Sequence, residues 1–210
     1  MKFRIDLKIL FFLALFSLTR QLKVYLIVML FALLHEIAHL LVGIILKFRP
    51  MQIEMMPFGF WIDLEPKEED YKRKIIKSNI TELKYIFVAL AGPLFNLIMV
   101  ILFEKLNIEK TIKDLIIYSN FFLFIFNLIP IYPLDGGRIL RSILRIFQGK
   151  KIADKNMKII ANTAIALHTF AGSIAILYFK NIAIFFILIY LWILVLKEKW
   201  KIIINYINWI

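Results

Sequence analysis

The chain contains no cysteine. Disulfides are therefore excluded, and any metal must be held by histidine, aspartate or glutamate. Histidine itself is scarce, with three in 210 residues. Acidic side chains are also few, 15 against 27 basic ones, for a formal net charge of +12. That balance invites a nucleic-acid reading, but the basic residues lie in short loops between apolar runs and no separate basic domain gathers them. Nucleic acid is not an expected partner. There is no repeat or low-complexity tract and no visible soluble domain; the loop 104–114 is too short to hold one. No small-x-small cleavage site follows the apolar run 9–18, so that run reads as a retained span rather than a signal peptide.

What fills the chain is apolar: 61% of it is hydrophobic and 15% aromatic. Six runs, 7–19, 24–46, 85–103, 115–131, 159–179 and 182–196, approach or reach the length needed to cross a hydrocarbon core of ~30 Å. The expectation is an all-α integral membrane protein, multi-pass in the cell membrane, with about six transmembrane helices and the lipid bilayer as its surroundings. An inside N-terminus places Lys2, Arg4, Lys8, Lys47, Arg49, the basic residues of 67–84, the basic residues of 138–158 and Lys197, Lys199 and Lys201 on one side. Only Arg20, Lys23, Lys105, Lys110, Lys113 and Lys180 then fall outside. The asymmetry predicts cytoplasmic termini. Between the second and third runs, "MQIEMMPFGFWIDLEP" alternates apolar and polar residues on both sides of Pro57-Phe58-Gly59, which predicts a small membrane-associated β-hairpin over 51–65.

One apolar run carries polar groups that lipid disfavours. In "FALLHEIAHLL", residues 31–41, His35 and His39 are one helical turn apart and project from one face; Glu36 sits about 100° round. Both imidazoles can reach one ion at about 2.0–2.1 Å while the carboxylate holds a water on it. Each ionisable group placed mid-bilayer costs at least ~2.5–3.5 kcal/mol on insertion scales, so three within five positions call for a compensating function. A catalytic zinc takes three protein ligands and keeps one open position. Two residues compete for the third place. His168 lies in the fifth run beside Asn162, Thr163 and Thr169; Asp135 lies in "NLIPIYPLDGGRIL", where Pro130 and Pro133 break a span and Gly136-Gly137 permit backbone conformations closed to other residues. Irregular backbone at membrane depth is tolerated only when buried in protein or lining a wet cavity.

"HEIAH", "AGPLFN" at 91–96 and "NLIPIYPLDGGR" at 127–138 together resemble the three signatures of the site-two protease family of intramembrane zinc metalloproteases. The resemblance implies a single membrane-embedded metalloprotease domain over 1–210 with its core at 24–147. It implies Zn2+ held by His35, His39 and Asp135, Glu36 as general base, and Asn127 and Asn96 near the substrate or a developing oxyanion. His168 then reads as structural or pore-lining. Arg138, Arg141 and Arg145, at helical spacing beside apolar residues, read as a head-group anchor. Neither a PDZ nor a CBS module is expected. The compact layout of the chain resembles the branch that includes a sporulation protease releasing a sigma factor from its pro-form. A membrane-associated protein substrate, with a pro-sigma factor as one candidate, and a membrane inhibitor protein are the partners implied. The alternatives are a membrane metal transporter, which would need a continuous polar path, and a catalytically silent scaffold, which would not need Glu36.

Overall fold

A computed structural model describes residues 2–5, 7–18, 20–56, 59–65 and 75–179, together with 188, 189, 192 and 196. The sixth apolar run, 182–196, lies largely outside the described residues. The chain divides into two compact units, Met1–Asn127 and Leu128–Ile210. Three strands and six helices are present among the described residues: β1 (Lys2–Ile5), α1 (Lys8–Leu18), α2 (Leu22–Ile45), β2 (Arg49–Met56), β3 (Gly59–Glu65), α3 (Ile75–Lys105), α4 (Lys110–Asn127), α5 (Asp135–Gln148) and α6 (Lys150–Phe179). Two stretches, Leu22–Ile45 and Asn79–Lys105, are long and apolar enough to cross a membrane. Helices α1, α4 and α6 overlap three further expected runs, with α4 ending at Asn127, short of Pro130.

In the first unit α2 is central and packs against α1, α3, α4 and the sheet. Its contacts are aromatic and aliphatic: Phe16 stacks on Tyr25 at 4.7 Å, and Phe31 meets Phe103 edge-on at 6.0 Å. Polar groups are buried among the apolar ones while large apolar side chains are left outside. Asn96 and Asn120 are fully buried, while Leu26, Leu30, Phe87 and Ile98 face outward, Phe87 with 60% of its surface exposed. An apolar exterior with the polar groups turned inward is what a hydrocarbon solvent favours, because lipid offers no hydrogen bond to an amide and loses nothing against leucine.

Helix α2 stops at a left-handed residue. Lys47 has φ 67°, and the amides of Lys47 and Phe48 donate back to the carbonyls of Ile44 and Gly43 at 2.9 Å each. This satisfies the last carbonyls and turns the chain directly into β2. The sheet has the order β1-β2-β3, with β2 antiparallel to β3 and parallel to β1. The N-terminal strand was not anticipated from the sequence, where 1–8 reads only as a basic lead-in. Because β2 is the middle strand, an incoming chain cannot pair along its length; among the described residues the outer side of β3 is an edge. Leu64 of β3 fits against Gly43 of α2, where a β-carbon would come within 2.7 Å of its Cδ1.

In the second unit the chain 128–134 makes two tight turns, Ile131 N–H donating to Ile129 O at 2.7 Å and Leu134 N–H to Ile131 O at 2.8 Å, before entering α5. Gly136 and Gly137 lie in the first turn of α5 with ordinary helical backbone, and among the described glycines only Gly149 has a positive φ. Their requirement is therefore different from the conformational freedom expected: a β-carbon on Gly136 would collide with the Leu128 carbonyl, and one on Gly137 with the Ile131–Tyr132 peptide. Close approach of backbone to backbone excludes a side chain there.

Helices α5 and α6 pack together through an ion cluster rather than presenting three arginines outward as a head-group anchor. Asp154 Oδ1 accepts from Arg141 Nε at 2.9 Å and from Arg145 Nε at 3.1 Å and Nη2 at 2.9 Å; Oδ2 accepts from Arg145 Nη2 at 3.2 Å. The Arg141 guanidinium also lies 4.7 Å from the centre of the Tyr132 ring. Partial burial pulls the Asp154 carboxyl upward, but hydrogen bonds and positive charge from Arg141 and Arg145 outweigh it and hold the group below the usual carboxylate range.

Candidate metal centre

Helical spacing does on α2 what its sequence predicts. His35 and His39 share a face and are both buried, with 3% and 2% of their surface exposed. Their Nε2 atoms lie 3.1 Å apart, with ring centres 4.7 Å apart and planes nearly perpendicular. Glu36 follows His35 on the same helix and is half-buried.

The opposite ring nitrogens are held from α3. His39 Nδ1 donates to the backbone carbonyl of Val88 at 2.6 Å. His35 Nδ1 donates to Asn96 Oδ1, whose own amide Nδ2 donates to Asn120 Oδ1 at 2.8 Å; Asn120 Nδ2 in turn donates to Ile116 O at 2.9 Å. A carbonyl accepts and never donates. Val88 O therefore requires the proton of His39 on Nδ1. Ile116 O requires the Asn120 amide to face it, which turns Asn120 Oδ1 toward Asn96 and Asn96 Oδ1 toward His35. Both imidazoles carry a proton on Nδ1, so in the neutral form of each ring Nε2 presents a lone pair.

Two lone pairs 3.1 Å apart repel unless a cation lies between or beside them. Two neutral imidazoles presenting Nε2, each with Nδ1–H held by oxygen, form a donor set suited to zinc. The space in front of them depends on Gly92 of α3, because a β-carbon there would stand 2.5 Å from both Nε2 atoms. The residues present thus fit a metal ion.

Asn127 is the last residue of α4 and is half-buried. In the second unit, Asp135 occupies the first turn of α5; it is buried, with Arg138 Nη1 at 3.8 Å from its Oδ1. His168 Nδ1 donates to Ala164 O of its own helix at 2.8 Å, a local bond of the kind a structural histidine makes. Asn96, expected near substrate or an oxyanion, has its oxygen on His35 and its amide on Asn120. Three contributors went unread in the sequence. Val88 acts through its backbone and leaves no signal. Gly92 stands inside a quoted motif without a reason. Asn120 was the readable one, an amide within the otherwise apolar 115–131.

Comparison with known proteins places these motifs. The description of peptidase family M50 matches residues 104–171, which include Asp135 and exclude His35 and His39. Stage IV sporulation protein FB of Bacillus subtilis is 28% identical over 131 residues, covering 60% of this chain and 42% of that protein, so the chain spans less than half the length of this curated relative. A solved structure, the site-2 protease from Methanocaldococcus jannaschii, is similar with a TM-score of 0.64 and 23% identity, covering 94% of this chain and 91% of that one; it shares the fold.

Proposed function

We propose that this chain, whose kinship with the site-two protease family all three comparisons support, is an intramembrane zinc metalloprotease hydrolysing peptide bonds of membrane-associated proteins. The observation that carries this reading is the His35–His39 pair, buried within an apolar exterior with both Nδ1 protons held and both Nε2 lone pairs turned together. Asp135 supplies the third ligand in this reading, supported by its motif and by the preference of a catalytic site for three protein ligands and an open fourth position. Zinc, when bound, polarises a carbonyl and lowers the pKa of a water toward ~7.

The chain's own residues do the rest. The Glu36 carboxylate accepts the proton of the attacking water and delivers it to the departing amine. The Asn127 amide donates to the oxygen that gains negative charge, without adding a charge to a site of low dielectric. A helical substrate shields its carbonyls by internal hydrogen bonds and must be held extended to be cut. The outer side of β3 offers main-chain groups for that pairing, in place of β2, which β1 and β3 enclose.

Cytoplasmic termini put the inner end of α2 at Lys47, 12 residues from His35 or ~18 Å along a helix. Water then enters from the cytoplasm, and cleavage releases a soluble cytoplasmic fragment. A pro-sigma factor in sporulation is the substrate class that the resemblance suggests, with a membrane protein as inhibitor.

Glu36→Gln is expected to abolish cleavage of a co-expressed membrane-tethered substrate while zinc content stays at wild-type level, because an amide cannot take the proton. His35→Ala, His39→Ala and Asp135→Ala are expected to lose zinc and activity together. Normal cleavage by Glu36→Gln would reject the mechanism, and tightly bound zinc in Asp135→Ala would reject the third ligand. Sidedness is read from Gln148→Cys, at an exposed position in a chain without other thiols. Labelling by an impermeant reagent from the cytoplasmic face is expected; labelling only from outside would reverse the topology. Gly136 and Gly137 do not suit this test, since neither tolerates a side chain.

A further inference from the structure

The two imidazoles are anchored differently. His39 is held directly by a backbone carbonyl, whereas His35 reaches one only through two side-chain amides, either of which could rotate by half a turn and exchange donor for acceptor. If Asn96 turned over, its NH2 would face His35 Nδ1. That nitrogen would have to become the acceptor, the proton would move to Nε2, and the lone pair that a metal needs would be lost. What prevents the turn is the far end of the chain of bonds. With Asn96 reversed, its oxygen would oppose Asn120 Oδ1; reversing Asn120 as well would set its oxygen against the Ile116 carbonyl, which cannot adapt.

We propose that Asn120 is a positioning residue for the metal centre: through Asn96 it fixes the Nδ1-protonated form of His35 and so keeps His35 Nε2 available as a ligand. Asn120 is fully buried on α4, and its contribution reaches α2 only by way of Asn96 on α3. The three helices are thereby tied into one statement about where a single proton sits. Groups bonded directly to a ligand alter affinity by roughly 10–100-fold when lost, and Asn120 acts by setting which way one such group, Asn96, faces. The inference rests on the reading of His35 and His39 as metal ligands and adds a residue to it.

The test is made on the full chain in detergent, with two readouts. Zinc affinity is measured by competition with a chelator, and the tautomers of the metal-free protein by 15N spectra of labelled histidine, of which the chain has three. Asn120→Leu can neither accept from Asn96 nor donate to Ile116 O. It is expected to bind zinc roughly 10–100-fold more weakly and to shift His35 toward the Nε2-protonated form, leaving His39 unchanged as an internal control for folding. Asn120→Asp, neutral in this buried place, can donate from its hydroxyl to Ile116 O and accept from Asn96, so it is expected to keep both properties. In an Asn96→Asp background the carboxylate lies against the His35 N–H rather than against a carbonyl; held ionised there, both of its oxygens can only accept, so adding Asn120→Leu is expected to cost no further zinc affinity.

Should Asn120→Leu not fold, Asn120→Ala is read in the same way. Unchanged zinc affinity and tautomer in the apolar variant would overturn the proposal. So would an equal loss in Asn120→Asp, or a loss that persists in the Asn96→Asp background, either of which would make Asn120 a packing residue. Absence of zinc binding by the wild-type chain would instead reject the metal centre itself.

Discussion

The interior of the α2–α3–α4 unit and the α5–α6 junction solve the same problem in opposite ways. At the first, His35, Asn96 and Asn120 are joined by neutral hydrogen bonds that end on a backbone carbonyl, and both asparagines are fully buried. At the second, Arg141, Arg145 and Asp154 are joined by charge, with side chains between 19% and 29% exposed. Desolvating a full charge costs several kcal/mol even after relaxation, whereas a satisfied amide costs little. Neutral links therefore suit the interior, and ion pairs are kept where water can reach them.

The largest effect expected from breaking this contrast is in the buried amides. Asn96→Leu leaves both the His35 Nδ1–H and Asn120 Oδ1 without their partner, and an unsatisfied buried group costs about 1–3 kcal/mol. A loss of about 3 kcal/mol in detergent unfolding is expected, little affected by 1 M salt. A loss below ~0.5 kcal/mol would show that water replaces the missing amide.

The ion cluster should respond less to truncation and more to conditions. Asp154→Asn is expected to cost about 1 kcal/mol at neutral pH, a value that salt reduces, because the pairs are partly exposed. Its pH dependence has a definite sign. The carboxyl titrates lower in the folded protein than in the unfolded chain, so its stabilisation is present above the ordinary aspartate pKa of ~3.9 and is lost as pH falls through the folded value. Unfolding temperatures measured from pH 6 to pH 3 should therefore fall more steeply for wild type than for Asp154→Asn. Parallel curves would remove Asp154 from the acid response.

The smallest effect sharpens a boundary of the first unit. Lys47→Gly relieves a non-glycine residue at φ 67° and is expected to stabilise by about 0.5–1 kcal/mol, with zinc content unchanged. A destabilised variant would mean that the Lys47 side chain outweighs the backbone strain.

Much was legible where the physics is local. An i, i+4 pair on an apolar helix must share a face, so the juxtaposition of His35 and His39 was readable from spacing alone. Pro130 and Pro133 announced the end of α4, and alternation announced β2 and β3, because each signal lies within the residues that carry it. The strand β1 was not legible, since its pairing with β2 joins residues about 50 positions apart and a four-residue strand has no period to detect. Gly136 and Gly137 were seen but given the wrong reason, for a collision with Leu128 or Ile131 exists only after the loop has folded back. Asn96 and Asn120 are the clearest division. Sequence determined that two amides would stand in apolar helices, where they must find partners. Which partners they found, and that their chain of bonds ends on Ile116 and fixes a proton on His35, was decided by the packing of α2, α3 and α4. A hydrogen bond has direction, and direction is set only when three helices are in place.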